Sequence, residues 1–279
     1  DDGFNAHISF GRRGAAELLA EAVAMHVPAK APVPAPQPPV ERARLLDVSH
    51  HQATAAERAA GAAAVDVGKV AAAGFAGVVA RALFGTRPDA TFRQTWQDLE
   101  NSELVRGAYA FWLPDQDTEE QAKLLVEAVG KLGEGDLPCV IDIEPPTAKG
   151  VTEKWKDSIT KENLLRWVDI VEDGTGKIPW CYTAPWCWFW GDVLAQRGVK
   201  LWLPRYREPR RPQWPVQSEL PTGWTMEDLV MYQWTERQVV PGEFGGVDCN
   251  VYVGSVEDLW ELTLQESMSQ LPSTPPPPC

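Results

Sequence analysis

Leu137–Pro146 reads "LPCVIDIEPP". It has the composition of a short buried strand and stops at two prolines, which cannot donate to a strand ladder. Within it stand two acids, Asp142 and Glu144. Alternate residues of a strand share a face, so these carboxyls point together while Ile141 and Ile143 point away. At the usual rise their Cα atoms lie about 6.5 Å apart. Two carboxylates held close in a partly dry site cannot both ionise easily, so one pKa is pushed up. A carboxylic acid still protonated near neutral pH is what protonation of a glycosidic leaving oxygen requires. Buried acids also form salt-bridged core features or metal sites, so this pair alone does not decide the chemistry.

Outward from that strand the pattern alternates. Strand-like runs are "ARLLDVSH" (43–50), "GVVARAL" (77–83), "VRGAYAFW" (105–112), "IPWCYTA" (178–184), "KLWLPRY" (200–206), "LVMYQWT" (229–235) and "VDCNVYVG" (247–254). Helix-like runs lie between the early strands: 65–75, 92–102, 118–132 and 161–176, and a short aromatic-rich helix is expected over 185–198. Five β/α units followed mostly by strands predict a parallel sheet that closes into a barrel. A β/α barrel carries its active site at the C-terminal ends of its strands. Asp47 ends the first strand and Asp142 and Glu144 end the fourth, whereas Asp248 begins the last.

Composition narrows the class. The formal net charge of −13 argues against nucleic acid as the main partner, because phosphate binding needs clustered Lys and Arg. No apolar run is long enough to span a membrane. Five cysteines without a C-x-x-C pair read as buried thiols, and the four histidines lack metal-ligand spacing, so neither a disulfide scaffold nor a zinc site is expected. No cofactor is expected either. Thirteen tryptophans gather in runs such as "PWCYTAPWCWFW". Core packing must account for most of them, and sugar-ring contacts for those near strand ends.

These motifs together resemble the glycoside hydrolase family 25 lysozymes, over about Arg44–Leu262. "LLDVSHHQ" is similar to the family's opening D-x-S-x-x-Q strand, "GVVARALFGT" to its second strand and "LVRGAYAFWLP" to its G-A-Y-H-F segment. "DLPCVIDIEPP" is similar to its D-x-E strand, and "MYQWTERQVVPGEFGGVDCNVYVG" to its W-Q-Y…G-x-V-D-x-N close. The resemblance implies a flattened (β/α)5(β)3 TIM-like barrel and hydrolysis of the β-1,4 bond between N-acetylmuramic acid and N-acetylglucosamine in bacterial peptidoglycan. It implies Glu144 as general acid, Asp142 positioning the substrate acetamido group or stabilising developing charge, and Asp47 and Asp248 tuning both. Tyr109, Tyr182, Trp202 and Gln233 would bind substrate. Asp248 at a strand's start then needs an antiparallel strand among the last three. Two departures stand out: Ala110 replaces a frequent His, which would lose a family contact, and Cys249 replaces an aliphatic residue. The Pro- and Arg-rich segment Arg207–Gly223 is expected as a loop at the site's rim.

Two other classes stay open on sequence. One is a glycan-binding or virion structural module of the same fold with little turnover. The other is a chitinase-type hydrolase, whose D-x-x-D-x-D-x-E signature is absent. A phage lysin would work from the host cytoplasm onto the wall, and a bacterial enzyme would be secreted to it; no signal-peptide pattern occurs in the chain.

The boundaries follow from composition. Residues 1–27 hold one amphipathic run, Gly14–Val27, expected as a remnant of an upstream module or a docking helix. Residues 28–41 are a Pro/Ala linker, with six prolines among residues 28–39. Residues 42–265 form the catalytic barrel, and 266–279 a Pro-rich linker toward a possible wall-binding or lytic neighbour. A 41–279 chain should therefore keep its activity and a thermal midpoint within a few degrees of the whole chain's. Collapse or aggregation on deletion would instead assign the Gly14–Val27 helix to the barrel.

Overall fold

The computed structural model describes residues 41–146, 150–206, 212–241 and 246–264. The expected helix over 14–27, the Pro/Ala linker up to residue 40 and the C-terminal linker lie outside them, as do Arg207–Arg211 of the expected rim loop.

Eight strands form the barrel: β1 (Arg44–Val48), β2 (Gly77–Phe84), β3 (Val105–Phe111), β4 (Val140–Asp142), β5 (Trp180–Tyr182), β6 (Leu201–Pro204), β7 (Leu229–Gln238) and β8 (Val247–Tyr252). Neighbours from β1 to β7 pair in parallel. β8 closes the ring antiparallel to both β7 and β1. The chain thus has the (β/α)5(β)3 plan, and the antiparallel strand needed by Asp248 is β8.

The helices form where apolar spacing and caps agree. α1 (Val67–Ala72) is capped by Asp66. α2 (Phe92–Glu100) buries Phe92, Trp96 and Leu99. α3 (Thr118–Val129) starts at Asp117, whose carboxylate accepts from the Glu120 N–H, and buries Ala122, Leu125 and Val129. α4 (Lys161–Thr175) starts at Thr160 and stops at Gly176, whose left-handed backbone suits glycine. The expected aromatic helix over 185–198 is a correction. Only α5 (Val193–Gln196) is helical, and Trp186–Trp190 run through turns between Pro185 and Gly191. Indole packing overrides helical spacing there. Three further helices carry weak sequence signals: Ala55–Ala60, Glu153–Asp157 and α6 (Val256–Thr263).

Two apolar cores result from strand alternation. Leu46, Val78, Ala80, Ile141, Ile143, Cys181 and Leu203 face the helices. Leu45, Val79, Val105, Val140, Trp180, Trp202 and Met231 fill the barrel interior. The same inward rows continue as Asp47 after Leu45, Arg81 after Val79, Tyr109 after Val105, Asp142 after Val140 and Tyr182 after Trp180. Each of these five rows is apolar at its start and polar at its end.

At the opposite end, α6 is held by the buried Lys177. Its ammonium donates to the carbonyls of Gly133 (3.1 Å), Asp136 (2.8 Å) and Thr263. Replacing it with Met keeps the stem and leaves three carbonyls without that donor. Lys177→Met should cost about 2–4 kcal/mol, read as a lower midpoint in urea unfolding at unchanged slope. An unchanged midpoint would mean that water replaces the ammonium freely.

Candidate active site

The polar ends of the inward rows meet in one cavity of about 900 Å³. Asp47, Asp142, Glu144, Asp248, Tyr109, Tyr182, Trp202 and Gln233, the eight residues singled out from sequence, all line it. β1 and β8 pair with Asp47 directly opposite Asp248, so the antiparallel closure brings the first and last acids together. Glu144 lies just past the end of β4, where Ile143 still donates its N–H to the Tyr182 carbonyl at 2.9 Å. Pro145 and Pro146 then end the ladder.

Asp47 is the most heavily bonded acid. Its Oδ2 accepts from Gln233 Nε2 at 2.8 Å and from Asn250 Nδ2 at 2.7 Å. Asn250 in turn accepts from the Trp202 indole at 2.9 Å, and Gln233 Oε1 accepts from the hydroxyls of Tyr182 (2.8 Å) and Tyr206. Trp202 is only 2% exposed. It reaches the cavity lining while its indole N–H is engaged by Asn250. One oxygen of Asp142, Oδ1, is buried without a hydrogen-bond partner.

All four acids are harder to ionise than ordinary carboxyls, and burial is the leading cause in each. Burial lifts Asp47 to about 6 against the bonds from Asn250 and Gln233 and one shared with Asp248. Burial and then the charge of Asp47 lift Asp248 to about 9. Burial, then Glu144 and Asp47, push Asp142 well above the carboxylate range, with Arg81 opposing. Glu144 rises from 4.5 to about 7 through burial and then the charge of Asp47. That is a preference of ~3 kcal/mol for its protonated form. The pairing of Asp142 with Glu144, the cause expected from sequence, is second to desolvation for Asp142, and for Glu144 the neighbouring charge that counts is that of Asp47. Each acid binds its proton more tightly folded than unfolded. The cluster therefore stabilises the fold at low pH and costs stability as pH rises through about 6, 7 and 9.

The site also holds a cationic counterpart, although none of the catalytic or substrate-binding residues expected from sequence is basic. Arg81 lines the cavity and is clamped by Asp89 through Nε (3.0 Å) and Nη2 (2.8 Å). Asp89 also accepts from the Thr91 hydroxyl at 2.8 Å and pairs with the His50 ring at 2.9 Å. Burial pushes Asp89 up, but bonds from Thr91 and His50 outweigh it and hold it at about 2. Arg81 follows Val79 by two positions, the rule that places Asp47, so its signal was present. Arg205 also lines the cavity, tied to Glu219 at 2.8 Å. Ala110 and Cys249, the two departures, face the outer core. A side chain at 110 would not reach the cavity, which removes the expected loss of a contact there. Among the described residues no group of three or more His, Cys, Asp or Glu side chains is arranged to hold a metal ion.

Comparison with known proteins places this geometry. The family model described as glycosyl hydrolases family 25 matches residues 46–243. The uncharacterised protein YegX of Escherichia coli K12 is 30% identical over 173 residues, 61% of this chain. The chain spans 56% of YegX's length. A family 25 glycosyl hydrolase from Bacillus anthracis superposes with a TM-score of 0.62 at 19% identity, over 80% of this chain and 94% of that one. A muramidase from Acremonium alcalophilum gives 0.61 at 24% identity, over 80% and 99%. At such identities the superpositions speak for the fold.

The electrostatics predict the effect of Asp47→Asn. The amide oxygen keeps the bonds from Gln233 and Asn250, and the negative charge is gone. The Glu144 carboxyl should then titrate below its parental value of about 7 while burial keeps it above 4.5. A carboxyl-resonance NMR titration reads this directly, and an unmoved Glu144 would break the proposed link between the two acids.

Proposed function

The chain belongs to glycosyl hydrolases family 25, and from that premise we propose that it cleaves the β-1,4 bond between N-acetylmuramic acid and N-acetylglucosamine in bacterial peptidoglycan. The observation that carries the reading is Glu144. It is a half-buried carboxyl at the cavity mouth, lifted to about 7, next to an Asp142 with a free oxygen. It holds a proton near neutral pH and can still release it, the balance general acid catalysis needs.

In this reading Glu144 gives its proton to the glycosidic oxygen as the C1–O bond breaks. The substrate's own acetamido oxygen closes on C1 and carries the positive charge. Asp142, on the cavity wall, positions that acetamido group as it closes. Glu144, now a carboxylate, takes a proton from the water that reopens the ring. Asp47 keeps Glu144's affinity for its proton high, and Asp248 shares a proton with Asp47. Tyr109, Tyr182 and Gln233 line the sugar's pocket. Among the described residues no helix is long and apolar enough to cross a membrane, and access to the wall would come through neighbouring modules or release.

Glu144→Gln preserves size and removes the proton. It should lower release of muramic-acid reducing ends from purified peptidoglycan, read by mass spectrometry, by at least about 10²–10⁴-fold. A Gln variant that clears walls at the parental rate would sink the assignment. A parent that binds wall glycan without releasing ends would instead support a binding module.

A further inference from the structure

The run "PWCWFW", Pro185–Trp190, is not used by the chemistry above. Cys187, Trp188 and Trp190 are buried, whereas Trp186 is 58% and Phe189 46% exposed, and of these two only Trp186 lines the cavity. The buried members are fastened. The Trp188 indole donates to the carbonyls of Gly191 (2.7 Å) and Thr222 (3.0 Å), and the Trp190 indole to that of Ile159 (3.0 Å). Trp188 packs on Trp190 and Trp224 with ring centroids 5.3 and 4.8 Å away, and Trp190 meets Trp155 edge-on at 5.9 Å. Such a turn has little freedom. It holds Trp186 outward beside the catalytic cavity, whose lining Trp186 and Pro185 join together with Pro145, Pro146 and Tyr206.

A large exposed aromatic on a rigid mount loses water-ordering cost only when something covers it. Rigid mounting also means that little freedom is lost on binding. The cavity walls are acidic and hydroxylated within and apolar at this rim. An indole face and proline rings suit the C–H face of a pyranose, and the pocket's continuity with the rim fits one polymer running through both. We propose that Trp186 is a stacking platform for a sugar of the same glycan strand beyond the scissile pair, so that the protein prefers long strands to short ones. This rests on the reading of the site as a wall-glycan hydrolase.

The test separates the two. In the full chain carrying Glu144→Gln, binding of peptide-free wall glycan is measured by calorimetry for a tetrasaccharide and an octasaccharide. The octasaccharide should bind more tightly. Adding Trp186→Ala should shrink that length advantage by about tenfold, the scale of one good aromatic contact, and Trp186→Phe should restore most of it. Matching thermal midpoints would show that the fold is kept, as expected for an exposed side chain. No length advantage, or one that survives Trp186→Ala, overturns the platform. If the wild-type chain still releases muramic-acid ends, only the platform falls. If it releases none and binds no glycan, the functional reading falls and takes the platform with it.

Discussion

Asp47 ties the beginning of the barrel to its end. It lies on β1, and the two groups that bond it, Gln233 and Asn250, come from β7 and β8, at 2.8 and 2.7 Å. Around this anchor hang Trp202 through Asn250, and Tyr182 and Tyr206 through Gln233. The network thus gathers polar side chains from five strands and from the residues just after β6. In a low-dielectric interior such a network is worth having only when its members are satisfied, because an unpaired buried polar group is costly. Closure by an antiparallel strand is what satisfies it. A parallel β8 would present the other end of the strand at this mouth.

The remaining acids make sense against that anchor. Asp248 lies opposite Asp47 and shares a proton with it. Asp142 has an oxygen without a partner, the reverse of Asp47's condition. Desolvation favours the protonated form most at Asp142 and Asp248 and least at Asp47, and Arg81, clamped by Asp89, supplies a fixed positive charge nearby. The cluster weakens the fold at neutral and alkaline pH, a cost that two apolar cores offset.

The tryptophans divide in a similar way. Trp112, Trp167 and Trp224 are almost wholly buried and pack the layer between strands and helices. Trp188 and Trp190 also fill core, and in doing so they position Trp186. One sequence run therefore serves packing and presentation together, and composition alone assigns neither role to a given indole.

Much of the molecule was legible before any coordinates. Alternating strand and helix periods gave the barrel, because each β/α unit must bury one face of a strand and one stripe of a helix. The two-residue period put Asp142 and Glu144 on one face, and the position of Asp47 at the end of its strand followed from the same pattern. The limits are equally physical. Helical spacing in 185–198 was misleading because packing among indoles distant in sequence decides that turn. Arg81, Asp89 and His50 come from different segments, and only folding brings them within 3 Å or so. Strand alternation also turns Ala110 toward the outer core, which motif matching did not register. Proximity along the chain suggested that pairing raises the acids' pKa, whereas burial does most of it, and burial is a property of the closed barrel. Local periodicity, a matter of neighbours in sequence, determined which residues could share a face. Which faces meet, how dry the meeting place is and which aromatic stays in water were decided by tertiary structure, since each depends on atoms supplied by remote parts of the chain.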